Sequence, residues 1–103
     1  MKSIVLSHRA EKSLDEIVDY YLTEHSVARA EKVVKSIEQT FAKISKKPES
    51  FPVNFDIAQP QDNIRHAIVH HTFKVIFRIL PEKIEVLEIF HASRNPELLK
   101  HIE

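Results

Sequence analysis

The spacing of apolar residues changes several times along the chain, and each change marks an element. Ile4, Val5 and Leu6 form a short run rich in β-branched side chains, which predicts a strand of about four residues. Ser7 follows, a residue suited to cap a helix. Ala10, Leu14, Ile17, Val18, Tyr21 and Leu22 then recur at helical spacing, with Asp15, Glu16 and Asp19 on the other side. Glu24, His25 and Ser26 interrupt the pattern, and Ser26 offers a second cap. Beyond it Val27, Ala30, Val34, Ile37, Phe41 and Ile44 alternate steps of three and four, drawing one narrow apolar seam that is expected in the core. Lys43, Lys46 and Lys47 gather where the helix dipole favours cations, and Pro48 stops the helix. Two such helices joined by so short a break should pack as an antiparallel hairpin.

Residues 48–63 carry three prolines and several Asn, Asp and Gln, the composition of a loop. Loops of this length are often functional, and Phe51 and Phe55 are expected to anchor this one. Residues 64–69 predict the next strand, with a turn at 70–72. Phe73, Val75, Phe77 and Ile79 then alternate with Lys74, Ile76 and Arg78, the period of a half-buried strand. Leu80 to Lys83 is a turn without glycine, and 84–90 is a last strand that is apolar on both faces in places. Two-sided apolarity suits a central strand, or one whose second face receives a partner. Residues 91–96 leave the sheet, and 97–103 form a short tail. The prediction is a single α+β domain over 1–103: an N-terminal strand, an antiparallel helical hairpin, then a three-stranded antiparallel meander. The hairpin covers one face of the sheet and leaves the other for something outside this chain.

Composition narrows the functions this domain can have. With 103 residues and 43% hydrophobic, there is material for one core. Lysine plus arginine and aspartate plus glutamate stand at 15 each, so bulk positive charge does not drive binding to nucleic acid. A local basic patch stays open, given seven histidines and clustered lysines. The absence of cysteine excludes disulfide and thiolate chemistry. The absence of glycine excludes Gly-rich phosphate loops. The N-terminal apolar run is too short for a signal peptide, and no stretch has the length of a membrane span, so a cytoplasmic protein without membrane partners is expected.

At the level of residues the chain resembles a known family. The strand leading into Ser7-His8-Arg9-Ala10, the Leu14-Asp15-Glu16-Ile17 stretch and the Tyr20-Tyr21 pair are similar to the opening of the ParE/RelE superfamily of toxins, also called the plasmid stabilisation protein family. Pro48-Glu49-Ser50-Phe51-Pro52 resembles the P-x-x-[FY]-P that follows its second helix, and Ile64-Arg65 the I-R that opens its next strand. Residues 73–79 (FKVIFRI) and 84–94 (IEVLEIFHASR) resemble its last two strands and their H-x-x-R ending. Order and spacing over roughly residues 4–96 carry the resemblance, since each fragment alone is weak. It implies the toxin half of a type II toxin–antitoxin system, neutralised by a cognate antitoxin, as a homodimer or as a heterotetramer with that antitoxin. RelE-like members cleave mRNA on the ribosome, whereas ParE-like members poison DNA gyrase.

Metal-free RNA cleavage needs a base for the 2′-hydroxyl, cations for the phosphate and an acid for the leaving oxygen. If the chain is a ribonuclease, the resemblance implies His91, Arg65 and Arg94 as its catalytic set. As contacts for a target or antitoxin it implies Arg65, Lys74, Ile76, Arg78, His91 and Arg94. Several departures weigh against cleavage. Leu98 and Leu99 stand where RelE-like members often have a tyrosine, Ala92 where an arginine is frequent, and Ala67 where a second lysine occurs. Zero net charge also contrasts with a toxin that must dock on ribosomal RNA. His91 and Arg94 are shared with ParE-like members, so gyrase is the expected target and the ribosome with mRNA the alternative. A non-toxic binding module of the same fold is a third reading.

Each of these residues has a plainer role open to it. His91 can be a strand-end histidine bonded to backbone, Arg94 can pair with Glu97, Arg65 can bridge strands, and Lys74 and Arg78 can be solvated surface. His66, His70 and His71 suggest zinc, but neighbours on a strand point to opposite faces and no cysteine joins them; no metal and no cofactor is expected.

Overall fold

A computed structural model describes residues 2–53, 63–69 and 72–91. The elements follow the predicted order: β1 (Ser3–Leu6), α1 (His8–Glu24), α2 (Val27–Lys46), a single 3-10 turn (Pro48–Ser50), β2 (Ile64–Val69), β3 (Phe73–Ile79) and β4 (Lys83–His91). Phe55, the turn histidines His70 and His71, Arg94 and the tail lie outside the described residues.

Both helix starts are fixed by the serines that flank them. The Ser7 hydroxyl accepts from the Ala10 N–H at 3.0 Å, and that of Ser26 from the Arg29 N–H at 3.1 Å. Ser7 has a second role, because its hydroxyl donates to the Leu87 carbonyl at 3.0 Å and its N–H to the Val86 carbonyl at 2.9 Å. One residue thus caps α1 and pins it to the sheet.

The strands run in the order β1-β4-β3-β2. The meander is antiparallel as expected, while β1 adds itself parallel to β4, pairing Ile4 with Ile84 and Leu6 with Val86. That places β4 between two strands and accounts for its apolar residues on both faces. The helices cover one face. Val75, Phe77, Ile84 and Val86 are fully buried there with Ala10, Ile37 and Ile44. Each large side chain so buried contributes about 1.5–3 kcal/mol by area.

Two expectations are corrected. The seam of α2 does not enter the core whole: Val27 is 61% exposed and Val34 only half-buried, whereas Val33 packs against the core. A helix turns 100° per residue, so a seam of this length drifts off the sheet at its ends. Val27 and Val34 instead line, with Val18 and Leu22, a shallow groove between the helices. The sheet face away from the helices is also not an open apolar surface. Ile64, Ile76, Leu87 and Phe90 form a second buried cluster on it.

Between Ile76 and Phe77 the β3–β4 register shifts, so Leu87 is an extra residue in β4. The next residue, Glu88, is a carboxylate only 9% exposed. It accepts a hydrogen bond from the Ser13 hydroxyl of α1 and one from the Ile89 N–H at 2.9 Å. Such partners are what a buried carboxylate requires.

Candidate functional site

Strand parity sorts the predicted contact residues. Lys74, Ile76 and Arg78 share the face away from the helices. Arg78 lies opposite Glu85 in the register and approaches it to 3.8 Å, both side chains being about one-third exposed (33% and 31%). Lys74 is half-buried, between Ile68 on β2 and Phe90 on β4. Ile76, expected on the contact surface, has no exposed area and serves as the centre of the second cluster.

Arg65 points elsewhere. Its register partner is Phe77, a core residue under the helices, so its side chain leaves the sheet on the helix side, at the start of β2. There Nη1 donates to the carbonyls of Phe51 (2.6 Å) and Glu49 (3.3 Å), and Nε to Oδ1 of Asn63 (3.1 Å). The same segment is tied by the His66 N–H to the Pro52 carbonyl at 3.2 Å, by a Val53–Arg65 bridge, and by Phe51 set edge-on to Phe77. Asn63 holds the left-handed conformation (φ 54°) that asparagine tolerates better than other non-glycine residues. The guanidinium is therefore a clasp on the segment after the 3-10 turn.

His91 lies at the other end of the sheet. It is opposite Phe73, with ring centres 5.8 Å apart. Phe73 meets Tyr21 (6.1 Å), Tyr21 stacks on His25 (5.0 Å, 28° between planes), and Tyr20 stands perpendicular to Tyr21 at 5.2 Å. These rings, with Ser13, Glu16, Ile17 and Ile89, line a groove of about 290 Å³ between α1 and the end of β4. On the other side of Tyr21 and Phe73 a second groove runs along α2, with Val33 and Val69 in its floor and exposed Arg29, Lys32 and Lys35 on its rim.

The predicted residues thus fall into three places. Phe77 and Phe73, the partners of Arg65 and His91, are four strand positions apart, about 13 Å at the rise of a β-strand. Lys74 and Arg78 are on the opposite face. Arg94 lies outside the described residues. The aromatic groove was not foreseen from the sequence. Tyr20-Tyr21 stood out only as a point of resemblance, and nothing local ties them to Phe73 and His91.

Among known proteins, the model of the family described as the ParE toxin of type II toxin-antitoxin system, parDE, matches residues 4–96. A solved structure of the chromosomal ParDE TA system from P. aeruginosa is similar in fold, with a TM-score of 0.73 at 21% identity, covering 90% of this chain and 98% of that one. No curated protein matches the chain.

Proposed function

Because the chain belongs to the ParE toxin family of type II toxin–antitoxin systems, we propose that it restrains growth by binding DNA gyrase, without hydrolytic chemistry, and is held silent by a cognate antitoxin. One observation carries the choice of binding over cleavage. Phosphodiester cleavage needs base, acid and cations within hydrogen-bond reach of one phosphate, about 3 Å from each reacting atom. Arg65 is engaged by two backbone carbonyls and Asn63, His91 stands with the aromatic rings, and Lys74 and Arg78 occupy the far face. This dispersal supports binding over catalysis.

The antitoxin half of the reading draws on the groove along α2. Its apolar floor and its Arg29, Lys32 and Lys35 rim suit an acidic amphipathic segment, whose apolar side chains would fill the floor. None of these three cations has an ion-pair partner among the described residues.

Supercoiling by purified gyrase tests the target. The chain should inhibit it, and should leave mRNA on programmed ribosomes intact. Cleavage of that mRNA, lost on His91→Ala, would overturn the proposal and restore the ribonuclease reading.

A further inference from the structure

The aromatic groove between α1 and β4 has a chemistry of its own, separate from the cations considered so far. Its walls include aromatic rings, most of them at steep angles to one another: Tyr20 to Tyr21 at 90°, Tyr20 to His25 at 63°, Tyr21 to Phe73 at 68°. Tyr21 and His25 instead stack on each other at 28°, and a tyrosine ring lining a groove can hold a cation over its face. The charge beside them is negative. The Glu16 carboxylate lines the groove. Ser13, also in its lining, donates to the buried Glu88 carboxylate. Asp15, Asp19 and Glu24 are exposed along residues 15–24 of α1, a stretch without Lys or Arg. The volume, about 290 Å³, falls at the bottom of the range of roughly 300–1,000 Å³ for small-molecule sites, which fits one side chain.

We propose that this groove is a recognition site for an arginine side chain presented by a protein partner. A guanidinium is planar and weakly hydrated, so it stacks on the tyrosine faces while its N–H groups reach the Glu16 carboxylate. A phosphate-bearing ligand would meet the glutamates at close range, so the electrostatics disfavour a nucleotide even though bases stack on aromatic rings. The site uses neither Arg65 nor the α2 groove rim, so its fate is independent of whether gyrase is the target.

The chain has two tyrosines and no tryptophan, and both tyrosines line the groove. Tyrosine emission therefore reports this site, and since Tyr21 also borders the α2 groove, Tyr20 is the reporter that belongs to this groove and not to that one. Titration of the full chain with N-acetyl-arginine amide should change tyrosine emission saturably in the millimolar range and shift the ring protons of Tyr20, Tyr21 and His25. N-acetyl-alanine amide at matched ionic strength should not. Glu16→Gln and Tyr20→Leu should each weaken the arginine titration by about fivefold, in line with the loss of one carboxylate or one cation–π wall. Tyr20 is 54% exposed, so its replacement should leave the circular dichroism spectrum intact. Equal responses to the arginine and alanine probes would overturn the proposal. So would tighter binding of uridine or adenosine monophosphate at the same rings, or arginine affinity unchanged in both variants.

Discussion

Replacing Arg65 separates a structural clasp from a contact residue. Arg65→Ala removes three hydrogen bonds: to the Phe51 carbonyl at 2.6 Å, the Glu49 carbonyl at 3.3 Å and Asn63 Oδ1 at 3.1 Å. A hydrogen bond to a charged group nets about 1.5–3 kcal/mol when shielded from water. The Glu49 contact is exposed and the other two only part-buried, so most of the sum is lost to solvent competition. A destabilisation of about 2 kcal/mol is expected overall. With a urea m-value of roughly 1.5 kcal/mol/M, the unfolding midpoint should fall by about 1.3 M. Arg65→Lys keeps the charge and can still donate to carbonyls, but it has no Nε–H for Asn63, and should recover about half of the loss. Gyrase inhibition, measured below the unfolding transition, should survive in both variants. An unmoved midpoint together with lost inhibition would refute the clasp and make Arg65 a target contact.

Other residues give sharper contrasts. Glu88→Ala leaves the Ile89 N–H and the Ser13 hydroxyl without their carboxylate, and should cost about 1–3 kcal/mol by chemical denaturation; a neutral result would mean that water replaces it readily. On the sheet face away from the helices, Ile76→Ala should cost about 3 kcal/mol as a cavity, whereas Arg78→Ala should cost under about 1 kcal/mol because its ion pair is part-exposed; the reverse order would contradict the burial described. At Asn63 the left-handed backbone favours glycine, so Asn63→Gly should change stability little while Asn63→Val should lose about 2 kcal/mol, and equal losses would place the cost in the bond to Arg65 instead.

The buried second face bears on how this domain meets its partners. A partner from outside the chain was expected on that face, yet Ile64, Ile76, Leu87 and Phe90 are already buried there. Family membership does not depend on that expectation, since it rests on the match over residues 4–96. Among the described residues, the grooves beside α1 and α2 combine apolar lining with charged side chains.

Local rules were enough for the elements. Ser7 and Ser26 mark the helix starts, Pro48 ends α2, and the alternation of residues 73–79 assigns side chains to the two faces of β3; each is a matter of hydrogen bonds or side-chain direction within a few residues. The two-sided apolarity of β4 left a central strand and a partner-covered face both open, and the parallel pairing with β1 makes it a central strand. What the sequence could not settle was which distant groups would meet. Arg65 was a phosphate or partner candidate until the fold brought it to carbonyls 14 and 16 residues away. Ser13 and Glu88 are 75 residues apart in the chain and become partners only when α1 packs against β4. The rings of Tyr20, Tyr21, Phe73 and His91 likewise lie on three elements, with His25 just past the end of α1, and converge only when α1 packs against the sheet. Periodicity fixes the direction of a side chain relative to its own strand or helix, whereas its neighbour is fixed by how the elements pack.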